Sequence, residues 1–132
     1  MRITADTNVL VRALMGDDPH QAALAEAALA EAELVAVPLP VLCELVWVLS
    51  RGYRVPAAEI AAALRGLMAA GNVAANRPAV AAGLAMLEAG GDFADGVIAF
   101  EGQWLGAEEL VSFDRQAVAL AERQGTRARL LA

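Results

Sequence analysis

The chain has 132 residues, 58% of them hydrophobic, and its sixteen acidic residues against ten arginines and no lysine give a net charge of −6. This length suffices for one domain with a sizeable core, residues 1–132, and is too short for two ordinary domains. The acidic balance argues against non-specific binding of nucleic acid by surface cations, so a polyanionic substrate would require an added cation such as a divalent metal.

Cysteine, histidine and hydropathy exclude several classes of protein. The chain has one cysteine, Cys43, and one histidine, His20, which excludes a disulfide framework and the usual Cys/His zinc site. Arg2 and Asp6 interrupt any signal peptide, and no apolar run reaches the roughly 18 residues of a membrane span. The sequence therefore predicts a soluble, cytoplasmic protein with no membrane partner.

The interior is predicted to consist of closely packed, alanine-rich helices, because aromatic residues make up only 5% of the chain. The larger side chains expected to fill this core are Trp47, Trp104, Phe93, Phe100 and Phe113.

Strands and helices are predicted to alternate along the chain. Hydrophobic patterns and turn residues predict strands at 2–6, 33–40, 72–76, 109–113 and 127–131. Caps, prolines and glycines predict helices beginning at 6–8 and spanning about 20–31, 40–51, 57–68, 77–91, 92–105 and 115–124. This alternation indicates an α/β fold with a mostly parallel sheet of about four to five strands flanked by helices.

Two aspartates lie where strands are predicted to end. Asp6 follows the first strand, and Asp114 follows the strand at 109–113. Ligands of parallel α/β sheets bind outside the carboxyl ends of the strands, but aspartate is also a good helix N-cap. Weighed with the other acids, Asp6 is interpreted as a metal ligand, and capping is expected to fall more to Thr7 and Asn8.

Glu44 is an acid in an otherwise apolar segment, "VLCELVWVL" at 41–49. A carboxylate among core residues loses hydration unless it is paired, which favours a ligand role. The alternatives are an acid on the one solvated stripe of a mostly buried helix, or an ion pair with Arg51.

Asp92 and Asp95 are three residues apart at a predicted helix start, so they lie close together. Asp92 is interpreted mainly as the N-cap and Asp95 as a ligand. Two like charges about 4 Å apart cost on the order of 4 kcal/mol at an effective dielectric of about 20, so a cluster of such acids requires a compensating charge. Oxygen ligands without histidine or cysteine select Mg²⁺ or Mn²⁺.

The segments that contain these acids resemble a known family. They are "ADTNVLVRAL" at 5–14, "VLCELVWVL" at 41–49, "DFADGVIA" at 92–99 and "LVSFDR" at 110–115. In order and character they resemble the PIN-domain ribonucleases, and among these the VapC-like toxins of type II toxin–antitoxin systems. "DTN" alone is a weak signal, whereas four ordered motifs are specific.

The resemblance implies a role for each matching residue. It implies that the acidic metal site, which is also the catalytic site, consists of Asp6, Glu44, Asp95 and Asp114. It implies supporting roles for Thr7, Asn8, Asp92 and Ser112, the last standing where the family usually has threonine. Candidate RNA contacts are Arg12 and Arg115, for which ordinary surface charge is an equal alternative.

The resemblance also implies a fold, an activity and partners. The fold would be a PIN-like three-layer sandwich, and the activity would be Mg²⁺- or Mn²⁺-dependent hydrolysis of RNA phosphodiester bonds. The expected partners are a second copy of the chain in a homodimer and a cognate VapB-like antitoxin that covers the acidic groove.

The sequence excludes several other classes of α/β protein and leaves one alternative function open. A phospho-receiver domain needs a lysine, a haloacid-dehalogenase-like phosphatase needs an aspartate where Asn8 stands, and a P-loop enzyme needs a Gly-Lys loop. A PIN-like module that only binds RNA or protein, with its acids acting as caps and solvated charges, remains open.

Overall fold

In the computed structural model, which describes residues 1–132, the chain divides into two units, Met1–Asn76 and Arg77–Ala132. The first unit has three strands, β1 (Arg2–Thr4), β2 (Leu34–Ala36) and β3 (Val73–Ala74). Its helices are α1 (Thr7–Met15), α2 (Pro19–Glu31), α3 (Leu39–Trp47) and α4 (Ala57–Ala69), and a π-helical turn, Val48–Gly52, continues α3.

The second unit continues the alternation of helices and strands. Its helices are α5 (Arg77–Glu88), α6 (Phe93–Trp104) and α7 (Arg115–Arg123), and its strands are β4 (Leu110–Ser112) and β5 (Ala128–Leu130). The predicted order of elements is confirmed throughout the chain, and their ends differ from the expected ones by a few residues. None of the helices combines the length and the apolar character needed to cross a membrane.

Every strand pair is parallel, as the sequence predicts. In the first unit the order is β1-β2-β3, with Ile3 opposite Val35 and Val35 opposite Val73. In the second unit β4 pairs with β5, with Val111 opposite Arg129. The α/β class is therefore confirmed, with the five strands forming a three-stranded and a two-stranded sheet.

Polar caps set where several helices begin. Asp6, Asp18, Asp92 and Asp114 each accept a backbone N–H at the start of α1, α2, α6 and α7. At the other end of α1, Gly16 takes φ +65°, a left-handed conformation that suits glycine. These caps account for the agreement between predicted and observed helix starts.

The cores are built from aliphatic residues and alanine rather than from aromatic residues. Of the aromatic residues expected inside, Phe93 is fully buried and Phe100 is half-buried. The expectation is wrong for Trp47, Trp104 and Phe113, which are 62%, 82% and 80% exposed. Trp47 lies on the solvent side of α3, whose buried side carries Leu42, Leu45 and Val46.

Candidate functional site

Asp6 lies at the end of β1 and is itself the N-cap of α1. Its Oδ1 accepts the backbone N–H of Val9 at 3.1 Å. The expectation that the capping falls to Thr7 and Asn8 is therefore wrong, since Thr7 is already inside the first turn and buried, and Asn8 is exposed. Only Oδ1 makes this bond, which leaves Oδ2 available to a cation.

A hollow of about 320 Å³ between α1 and α2 is lined by Asp6, Asn8 and Arg12, among others. Arg12 lies 3.5 Å (Nη1 to Oδ1) from Asp17. Asp17 also accepts a hydrogen bond from the Tyr53 hydroxyl at 2.8 Å, which is the main reason that the pKa of Asp17 is lowered and that of Tyr53 raised. The Arg12 guanidinium therefore has a partner that holds it beside this hollow.

Glu44 lies in α3 but its side chain is exposed to solvent. The expectation that it loses hydration among core residues is therefore wrong. The alternative of a solvated stripe describes its position, because Trp47, three residues later on the same side of the helix, is also exposed. Any ligand role for Glu44 thus rests on the family motif and not on burial.

In the second unit, Asp92 and Asp114 act electrostatically on Asp95. Asp92 caps α6 by accepting the N–H of Ala94 at 3.2 Å, and Asp114 caps α7 by accepting the N–H of Ala117 at 3.1 Å. Asp95 lies half-buried in the first turn of α6. Partial burial, then the charges of Asp92 and Asp114, raise the pKa of Asp95 above its usual value.

This raised pKa identifies a place where negative charge accumulates. Burial and like charges both disfavour ionised Asp95, so a cation at this place would stabilise the ionised form. The three acids are thus gathered at the starts of α6 and α7.

Ser112 shapes the turn that carries Asp114. Its Oγ accepts the backbone N–H of Asp114 at 3.0 Å, and its carbonyl oxygen accepts the N–H of Leu131 at 2.8 Å. The side chain of Ser112 therefore holds the backbone of Asp114, and its main chain is held by the residue that follows β5. Phe113, between them, points into solvent, and Arg115 is also exposed.

Sequence reasoning missed the glycines that bring α5 and α6 together. A Cβ on Gly96 would collide with the backbone carbonyl of Ala82, and one on Gly83 would collide with the ring of Phe93. These contacts set the position of α6 and therefore of Asp95, which immediately precedes Gly96. The signal was present in "DFADG", because a glycine inside a helix indicates close packing.

The donor set fits a hard divalent cation. All the candidate ligands are carboxylates, and in the caps of Asp6 and Asp114 the hydrogen bond uses Oδ1 alone. In neither unit do three or more histidine, cysteine, aspartate or glutamate side chains form a group that could hold a metal ion. Mg²⁺ and Mn²⁺ fit oxygen ligands and usually retain several waters, so they do not need a closed protein cage.

Comparison with protein families agrees with this chemistry. The family model described as "PIN domain" matches residues 3–125, across both units. The chain belongs to the PIN-domain family. PIN domains are generally nucleases that typically use divalent metal ions. The search of curated proteins found no match to this PIN domain.

Proposed function

We propose that this PIN domain is a Mg²⁺- or Mn²⁺-dependent endoribonuclease that hydrolyses RNA phosphodiester bonds. The observation that carries the proposal is the match of residues 3–125 to the PIN-domain family, and the half-buried Asp95 beside Asp92 and Asp114 agrees with it. Asp92 and Asp114 cap helices, whereas Asp95 caps none, and a carboxylate placed beside two others is typical of a cation-dependent hydrolase. Family membership supplies the reaction class.

The ligands that we propose for the ion are Asp6, Glu44, Asp95 and Asp114. The chemistry that the ion supplies when bound is activation of a water and neutralisation of charge on the phosphate oxygens. Asp6 and Asp114 would hold the ion while still capping their helices, since the cap uses Oδ1 alone. Thr7, Asn8, Asp92 and Ser112 support these ligands, and Ser112 does so through the backbone of Asp114.

Arg12 and Arg115 are proposed to contact the RNA backbone on either side of the scissile bond. Arg115 is exposed directly after Asp114, and Arg12 lines the same hollow as Asp6. A guanidinium binds phosphate oxygens in a bidentate manner, so two of them can hold the chain in register against the repulsion of the acids.

We further propose a physiological setting from the resemblance to VapC-like proteins. The protein would be a cytoplasmic toxin that forms a homodimer and is inhibited by a VapB-like antitoxin. The net charge of −6 favours a basic inhibitory segment, because opposite charges speed and orient association.

RNA cleavage by purified protein tests the proposed activity. Wild type should cleave RNA with Mg²⁺ or Mn²⁺ and stop when EDTA removes the metal. Asp95→Asn and Asp6→Asn should lower kcat/KM by at least about 100-fold, because each removes a negatively charged ligand. Asparagine caps helices as well as aspartate does, so Asp6→Asn should stay folded.

Asp18→Asn is the matched control for Asp6→Asn. Asp18 caps α2 by accepting the N–H of Gln21 at 3.1 Å, the same distance as in the Asp6 cap. This variant should cleave like wild type. Equal cleavage by wild type, Asp6→Asn and Asp95→Asn, or no cleavage by antitoxin-free wild type, would favour the non-catalytic binding module.

A further inference from the structure

Phe113 is an exposed aromatic side chain that directly precedes the candidate ligand Asp114. It lies between Ser112 and Asp114, in the turn from β4 to α7, and 80% of it is accessible to solvent. A phenylalanine in this position contributes almost nothing to the core. A single exposed apolar side chain is ordinary on a protein surface, so the exposure of Phe113 gains its weight from the candidate ligand Asp114 beside it.

The backbone on both sides of Phe113 is held in place. The N–H of Asp114 is bonded to Ser112 Oγ at 3.0 Å, and Asp114 in turn caps α7 through the N–H of Ala117 at 3.1 Å. The carbonyl of Ser112 is bonded to the N–H of Leu131 at 2.8 Å. The turn thus presents the ring on a rigid support, which lowers the entropy that is lost when a flat partner binds.

Charge alone is a poor means of holding RNA at this turn. Asp92, Asp95 and Asp114 repel phosphates, and the chain as a whole carries a charge of −6. Stacking of a base on an aromatic ring does not depend on net charge and tolerates any base, because every base has a π-face. An exposed ring beside the acids thus supplies attraction where the acids supply repulsion.

We propose that Phe113 is a stacking platform for an unpaired RNA base next to the phosphate that is cleaved, an inference that rests on the proposed function. Phe113 is then a positioning residue, which orients the base and takes no part in the chemistry. In a continuous duplex the bases are stacked on one another and do not reach an isolated ring. Arg115, exposed two residues further on, binds the adjoining backbone.

The test compares binding of RNA with and without bases. The probes are a fluorescein-labelled single-stranded oligoadenylate and an abasic ribose-phosphate chain of the same length, titrated in Mg²⁺ with proteins that also carry Asp95→Asn to prevent cleavage. Phe113→Ala should weaken binding of oligoadenylate by about 5-fold to about 150-fold, the equivalent of stacking one base. It should leave binding of the abasic chain and the salt dependence unchanged, because neither involves the ring.

Trp104→Ala is the matched control, because Trp104 is 82% exposed but lies at the far end of α6. It should bind both probes normally, and Phe113→Tyr should retain the preference for oligoadenylate. In the cleaving protein, Phe113→Ala should raise KM more than it lowers kcat.

Several results would overturn the inference. One is that Phe113→Ala weakens binding of both probes equally, and another is that it leaves binding unchanged. A third is that it changes only the oligomeric state, which would mean that a second copy of the chain covers the ring. In each of these cases, cleavage of RNA by wild type would still support the proposed function. Absence of cleavage by wild type, with the base-dependent binding intact, would remove the proposed function and retain Phe113 as a stacking residue.

Discussion

The chain builds the same turn twice, once after β1 and once after β4. Each strand is three residues long, one residue follows it, and then an aspartate begins a helix. Asp6 and Asp114 have φ of −88° and −87°, and each accepts a backbone N–H three residues further on at 3.1 Å. The two caps therefore share φ and the hydrogen bond, while ψ is 173° at Asp6 and 112° at Asp114.

The residue between strand and aspartate distinguishes the two turns. Ala5 is 1% exposed and extends the pairing of β1, since its N–H donates to the carbonyl of Ala36 at 3.0 Å. Phe113 is 80% exposed, and the side chain of Ser112 holds the amide that follows it. Both turns are therefore tied to a neighbouring strand, and the second is also held by the Ser112 hydroxyl and leaves its middle residue exposed to solvent.

The charges around the two aspartates also differ. Asp114 acts on Asp95 together with Asp92, which raises the pKa of Asp95. Asp6 shares its hollow with Arg12, which pairs with Asp17. The comparison teaches that two aspartates with the same capping role can lie in different surroundings of charge, one near other acids and the other near an arginine.

Of the variants that would alter the surroundings of these aspartates, Gly96→Ala is expected to cause the largest loss of stability. Its new Cβ would meet the carbonyl of Ala82, so α6 must move away from α5 and carry Asp95 with it. Urea denaturation should show a loss of about 1–3 kcal/mol, the usual cost of overpacking, and cleavage should fall. Gly102→Ala in the same helix has nothing within 4 Å of its new Cβ and should stabilise the protein slightly. Equal stability of the two variants would contradict the close packing of α5 and α6.

A smaller effect is expected from Ser112→Ala, which makes the Asp114 turn lose its additional anchor. Loss of the bond from the Asp114 amide to Ser112 Oγ should cost about 1 kcal/mol in urea denaturation. Ser112→Thr keeps the hydroxyl and should retain most of this stability. If the alanine and threonine variants were equally stable, the hydroxyl would not be what holds the turn.

The smallest change in the free energy of unfolding is expected from Asp95→Asn in the absence of metal, and it is a gain in stability and not a loss. The raised pKa means that ionisation of Asp95 disfavours the folded state. The stability that protonated Asp95 contributes is therefore fully present below its unfolded pKa, near 3.8, and is lost as the pH rises through the raised folded pKa. At neutral pH the variant should therefore be more stable than wild type, by a few tenths to about 1 kcal/mol. Thermal denaturation across pH measures this difference, and a variant less stable than wild type at pH 7 would refute it. Mg²⁺ should stabilise wild type more than the variant.

The sequence was sufficient to predict the order of elements, because proline, glycine and aspartate mark where helices begin and end. It did not predict which side of α3 faces solvent. The segment 41–49 is apolar on both sides of Glu44, so its hydrophobic residues show no helical periodicity. The sequence therefore does not distinguish the exposed side of α3, with Glu44 and Trp47, from the buried side. The exposure of Phe113 escaped prediction because "ELVSF" is mostly apolar, whereas in the structure Phe113 continues the alternation of β4 and lies on the same exposed face as Val111.

The aspartate caps have a consequence for the thermodynamics of ligand binding. Because Oδ1 of Asp6 and of Asp114 is already bonded to a backbone N–H, each carboxylate is fixed about its side-chain torsions before any ligand arrives. The conformational entropy of ordering these two side chains is lost when the helices form, and not when a cation binds. A free carboxylate on a mobile loop would have to be ordered when the cation binds. The free energy of cation binding would then be less favourable by the cost of that ordering.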